Sequence, residues 1–139
     1  MKYKYSALWP QNPSEKWIKR PMVNVEIFGK NGSKKFNALI DSGADYCIFN
    51  IQIATLMGFD LSNSPIKPTI GIGGNESMPT YFLDDVEIKI ENIDRKVKIP
   101  VCFIDSDSVG LLLGQNGFFD SFNVKFMKKH DTFEVDLAK

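Results

Sequence analysis

A mainly β domain with two short helices is the architecture to expect of this chain. Residues 22–28, Met-Val-Asn-Val-Glu-Ile-Phe, alternate apolar and polar side chains as a half-buried strand does. Residues 80–90 and 96–104 read as two longer strands around a turn at 91–94. The tail repeats the pattern, with Val124 and Phe126 on one arm of a hairpin and Phe133, Val135 and Leu137 on the other.

In chain order, residues 1–19 hold Tyr3, Tyr5, Trp9 and Trp17, are punctuated by Pro10, Pro13 and the Pro21 that follows, and read as an extended arm that packs on the rest. Residues 20–139 then form one domain, which includes the C-terminal hairpin 123–137. After the first strand, Asn31-Gly32 signals a hairpin turn, and the return strand 35–40 leads into Asp41. Asn50 suits the cap of a helix over 51–57, which Gly58 ends. A polar loop with Pro65 and Pro68 leads to the glycine-rich stretch 69–75. Leu111-Leu112-Leu113-Gly114 is wholly apolar and reads as a buried strand, and 115–122 reads as the second short helix. No tandem repeat is present.

Composition narrows the function. With 139 residues, 43% of them hydrophobic, the chain can bury a core as a single domain. Lys plus Arg and Asp plus Glu number 17 each, so no excess of positive charge argues for nucleic acid. No apolar run reaches membrane-spanning length and no secretion signal opens the chain, which leads to the expectation of a cytoplasmic protein. Cys47 and Cys102 lie in apolar contexts and read as buried thiols rather than a disulfide or metal pair. The one histidine, His130, sits in a charged turn, which argues against Ser-His-Asp or Cys-His catalysis. No His/Cys cluster has metal spacing, and no cofactor is expected.

The stretch 37–45, Asn-Ala-Leu-Ile-Asp-Ser-Gly-Ala-Asp, organises what remains. An apolar strand delivers Asp41 to a Ser42-Gly43 turn at the edge of the core, where burial can control a carboxylate's protonation. Asp45 follows, as a turn cap or as a binding group. Ile48 and Leu112 suit a core as well as a pocket. A phosphate-binding reading of Gly71-Ile72-Gly73-Gly74 fails, because Glu76 replaces the third glycine and no helix pattern follows.

Taken together, 39–45, 70–74 (Ile-Gly-Ile-Gly-Gly) and 112–116 (Leu-Leu-Gly-Gln-Asn), with Arg20-Pro21-Met22-Val23 upstream, resemble the retroviral-type (retropepsin-like) aspartic proteases, including their cellular single-domain members. The resemblance spans roughly residues 17–122. It implies an acid protease barrel and a glycine-rich flap, with an aspartic endopeptidase activity on extended peptides. Asp41 would be the catalytic acid, Ser42 would buttress it across a dimer interface, and Gly43 would admit substrate backbone. Asp45 would bind substrate main chain, Ile48 and Leu112 would line apolar subsites, and Gly71, Ile72, Gly73 and Gly74 would form the flap tip. Peptide hydrolysis without a metal or nucleophile needs one group to take a proton from water and another to give one to the leaving amine. One Asp-Ser-Gly per chain supplies half of such a pair, so the resemblance implies a homodimer with Asp41 from each copy at the twofold axis. The alternative is a catalytically silent peptide-binding or dimerisation module of the same fold. Two features depart from retroviral members: Gln115 stands in place of an arginine, and the tail from Asn123 onward is longer.

Overall fold

A computed structural model describes residues 1–8, 18–69, 78–106 and 110–139. The strands are β1 (Lys2–Lys4), β2 (Ser6–Leu8), β3 (Ile18–Arg20), β4 (Met22–Gly29), β5 (Gly32–Ile40) and β6 (Cys47–Asn50), followed by helix α1 (Ile51–Met57). Then come β7 (Ile66–Thr69), β8 (Met78–Ile90), β9 (Lys96–Ile104), β10 (Leu111–Leu113), helix α2 (Phe118–Ser121), β11 (Phe122–Met127) and β12 (Thr132–Leu137), with a 3-10 turn at Lys128–His130.

Six of these strands close a barrel in the order β4-β5-β10-β6-β9-β8, and β8 returns to β4 along Val25–Phe28. Strand β8 manages this by changing partner along its length. Its start pairs with β7, its end pairs with β4, and an irregularity between Leu83 and Val86 bends it between the two. The alternation read from the sequence becomes the inside of the barrel. Val23, Val25, Ile27, Ala38, Ile40, Ile88, Ile90, Ile99, Val101 and Phe103 all point into one core. Complete burial of side chains such as Phe49, Phe103 and Phe118 is worth about 2–3 kcal/mol each before entropy is counted.

Side chains of opposite parity make a smaller cluster outside the barrel. Ile48, Cys102 and Ile104 are buried there, with Phe82 and Leu112 packed against them. Helix α1 forms as expected: Asn50 accepts the Gln52 N–H at 2.9 Å, and the chain leaves at Gly58. It lies on the β4–β5 hairpin, where the Asn31 N–H and side chain reach the carbonyls of Met57 and Leu56.

A second layer joins the two ends of the chain. Strand β1 pairs with β12, which pairs with β11, and β2 pairs with β3. Tyr3 stacks on Phe133 and Tyr5 meets the same ring edge-on, while Trp9 and Trp17 lie outside the described residues.

Three local expectations need correction. The first hairpin turns at Lys30-Asn31, one residue earlier than Asn31-Gly32, because Gly32, at a φ of 100°, already pairs with Gly29 as the first residue of β5. Residues 66–69 form strand β7 rather than loop. It is the sheet's last strand on that side, where Pro68 is tolerated. The second helix covers only 118–121, not 115–122, because Gly117 at φ 101° lies outside helical geometry.

Candidate active site

Asp41 is placed by the strand before it and by a parallel neighbour. Leu39 and Ile40 pair with Leu112 and Leu113 of β10, and the Asp41 N–H continues the ladder onto the Leu113 carbonyl at 2.9 Å. Its half-buried side chain closes the turn, with Oδ1 accepting the Gly43 N–H at 3.0 Å, and the Ala44 N–H returns to the Asp41 carbonyl at 3.2 Å.

The rest of the loop is laced to the segment after β10. The Gln115 N–H donates to the Ala44 carbonyl and the Asn116 N–H to the Asp45 carbonyl, both at 2.8 Å. Tyr46 then bridges to Asn116 in parallel. Gly114 makes this lacing possible. A Cβ there would stand 2.3 Å from the Tyr46 carbonyl oxygen and 2.7 Å from that of Ala44, so two backbone stretches would have to part. The Gln115 side chain reaches 2.8 Å to the Ser42 carbonyl. At the position where the sequence departs from its look-alikes, a neutral amide holds the loop by a main-chain contact instead of an ion pair.

Beneath the loop lies Cys47. Its sulfur accepts the Gly114 N–H at 3.4 Å and donates toward the Asn116 carbonyl at 3.7 Å. Burial pushes this thiol up, against the pull of hydrogen bonds from the Gly114 and Phe118 backbone, so it stays protonated and unreactive. Both cysteines are buried and neither forms a disulfide, as the sequence indicates. Among the described residues no group of three His, Cys, Asp or Glu side chains is arranged to hold a metal ion.

Ile48 and Leu112 come together, since they are directly paired across β6 and β10. Ile48 is buried in the small outer cluster, and Leu112 is half-buried against it. Leu112 also lines a cavity of about 240 Å³ with Met22, Leu39, Gly110, Leu8 and Arg20. Leu39 precedes Asp41 by two residues and so shares its side of the extended chain. A second cavity, of about 250 Å³, is lined by polar side chains including Asn24, Glu26, Lys35 and Lys89, and no residue of the Asp41 loop reaches it. The first cavity has no lining residue from the loop either, but Leu39 and Leu112, which pair with each other, tie it to the two strands that place Asp41.

Ser42, Gly43 and Asp45 are exposed on the loop surface beside Asp41. Gly71, Ile72, Gly73 and Gly74 lie outside the described residues, although the flanking strands β7 and β8 pair as far as Thr69 and Met78. The sequence reading passed over Leu39, Met22 and Leu8. Leu39 was recoverable from its parity with Asp41, whereas nothing local to Leu8 places it near residue 112.

Comparison with known proteins follows this geometry. The family model described as aspartyl protease matches residues 23–116, more than half of the chain. Among solved structures, a retropepsin-like aspartic protease from Rickettsia conorii superposes with a TM-score of 0.60 at 18% identity, covering 84% of this chain and 88% of that one. At that identity the likeness establishes a retropepsin-like fold. No curated protein sequence matches the chain.

Proposed function

The chain belongs to the aspartyl protease family, and on that premise we propose that it is an aspartic endopeptidase whose water is activated between two Asp41 carboxylates, one from each subunit of a homodimer. The observation that carries this is the placement of Asp41, held at the head of a backbone-laced loop two residues beyond Leu39, which lines a mostly apolar cavity. Two carboxylates at hydrogen-bond distance cannot both ionise, so they share one proton, as aspartic protease pairs generally do. The ionised partner takes a proton from water as its oxygen attacks the peptide carbonyl. The protonated partner stabilises the developing oxyanion, and a proton is delivered to the leaving amine as the C–N bond breaks. Titration then belongs to the pair and not to either carboxyl.

A retropepsin-like barrel with one Asp-Ser-Gly needs a second copy to complete this chemistry. Strand β1 pairs on one side with β12 of its own chain. Among the described residues β1 and β11 are the two edge strands of the β1-β12-β11 sheet, and a second copy would add to one of them. Asp45 would take substrate main chain, Ser42 would bridge to the partner loop, and the apolar cavity would take a substrate side chain. Gly71, Ile72, Gly73 and Gly74 would close over the peptide, bound extended as an added strand.

A statine-type transition-state mimic tests the reading, because it binds tightly only where paired carboxylates meet a tetrahedral centre. Tight binding lost in Asp41→Asn and confined to the dimer on a sizing column is the expected result. Equal binding of the mimic and a plain peptide, unaffected by Asp41→Asn, would move the assignment to a silent peptide-binding module.

A further inference from the structure

We propose that Leu8, carried by the N-terminal hairpin β2–β3, is a specificity-determining residue that sets how large an apolar substrate side chain the cavity lined by Leu39 and Leu112 accepts. The inference rests on the endopeptidase reading and goes beyond it, because Leu8 lies outside the segment that matches the family.

The cavity has two kinds of wall. Met22, Leu39 and Leu112 come from paired strands of the barrel and are fixed by its ladder. Leu8 and Arg20 come from β2 and β3, which pair with each other and not with the barrel. At about 240 Å³ the space is below the roughly 300–1,000 Å³ of pockets that enclose a drug-sized molecule, so it suits one side chain. Leu8, Met22, Leu39, Leu111 and Leu112 outweigh the polar Arg20 and Asn37 in its lining, so it favours an apolar one.

Leu8 is held firmly enough to act as a wall. In β2, Ala7 is exposed while Leu8 is half-buried, so the strand turns Leu8 toward the cavity. Leu8 pairs with Ile18 and Ser6 with Arg20, and Lys19 between those partners meets the Asp131 carboxylate at 2.9 Å. The Tyr5 N–H, just before β2, donates to the Asp131 carbonyl at 2.8 Å. Both strands of the hairpin are thus tied to one turn of the C-terminal sheet. At the far end of β3, the Pro21 carbonyl accepts the Ile40 N–H at 3.0 Å, next to Asp41. The hairpin therefore spans from the terminal sheet to the catalytic strand, with Leu8 facing the space between.

The test is a competition assay on the full chain, with two peptides that differ only in phenylalanine against valine at the residue seated in the cavity. The ratio of their kcat/KM values is read from one reaction, so it does not depend on how much of a variant is folded. Leu8→Ala should raise the phenylalanine-to-valine ratio about tenfold, and Leu8→Trp should lower it about tenfold, while Leu8→Met keeps it near wild type. Retained cleavage with the same ratio in all four proteins would overturn the role of Leu8 and leave the endopeptidase standing. Wild-type protein without any cleavage that Asp41→Asn removes would overturn the endopeptidase reading, and this inference with it.

Discussion

The Asp41 loop and the terminal sheet differ in what side chains add to their backbone hydrogen bonds. Between residues 41 and 46 the contacts are almost all backbone: N–H groups of Asp41, Gly43, Gln115 and Asn116, with Gly114 permitting the close approach. Around β1 and β12 a backbone ladder is joined by side-chain contacts. Tyr3 and Tyr5 meet Phe133, and Lys19 and Lys128 both reach Asp131 at 2.9 Å. Backbone lacing positions a carboxylate independently of pH and salt. A charged clasp does not, which suits a region that ties down an arm better than one that performs proton transfer. The difference teaches that the loop should fail by steric change and the terminal sheet by change of charge.

Four measurements press on that contrast, in falling order of effect. Gly114→Ala forces a Cβ between the Ala44 and Tyr46 carbonyls and should cost about 3 kcal/mol in denaturant unfolding, with cleavage lost. A variant of wild-type stability would mean that the loop is not wedged as described. Gln115→Ala removes one neutral hydrogen bond to Ser42 and should cost about 1 kcal/mol, lowering kcat/KM by up to about tenfold.

The next effect is spectroscopic. Burial, with the charges of Glu91 and Asp136 added, holds the Tyr3 hydroxyl up at about 12, and it donates to the Glu91 carbonyl. Because the folded value is raised, the contribution is complete below the ordinary tyrosine value of 10.0 and is lost as pH climbs through about 12. An ultraviolet titration should show one late phase that Tyr3→Phe deletes.

Smallest is the clasp itself. Hydrogen bonds from Lys19 and Lys128 hold the Asp131 carboxyl below its usual 3.8. Its contribution is therefore complete above that value and disappears as pH falls through the lowered one. A small Tm difference between wild type and Asp131→Asn should persist from about pH 5 to 7, shrink in high salt, and vanish well below pH 4. If the Gln115→Ala loss were salt-dependent and the Asp131→Asn loss were not, the contrast would be reversed.

The barrel was legible because its strands obey a period of two and end in strong turn residues. Met22 to Phe28, 96–104 and the 51–57 helix with Asn50 and Gly58 needed no tertiary information. The misplacements share a cause. Gly32 and Gly117 fall inside the turn and the helix that the residue pattern marks out, whereas each takes a positive φ that shifts the boundary by a residue or more. Pro68 argued for loop, and only its place in an edge strand reconciles it with β7. At the site, Asp41 and its Ser42-Gly43 turn were visible locally. The lacing to Gln115 and Asn116, the thiol of Cys47 under Gly114, and the reach of Leu8 were not. These contacts join residues about 70 or more positions apart in sequence, and no local pattern encodes them.

The account stands on Asp41 as the acid that cuts peptides, and one measurement meets it directly. Denatured protein and peptide mixtures would be exposed to wild type and to Asp41→Asn from roughly pH 4 to 7, the range where a shared proton can serve both roles. Cleavage by wild type that falls by about a thousandfold or more in the variant is the predicted result. Equal cleavage by the two proteins, or silence from a folded wild-type dimer, would contradict it.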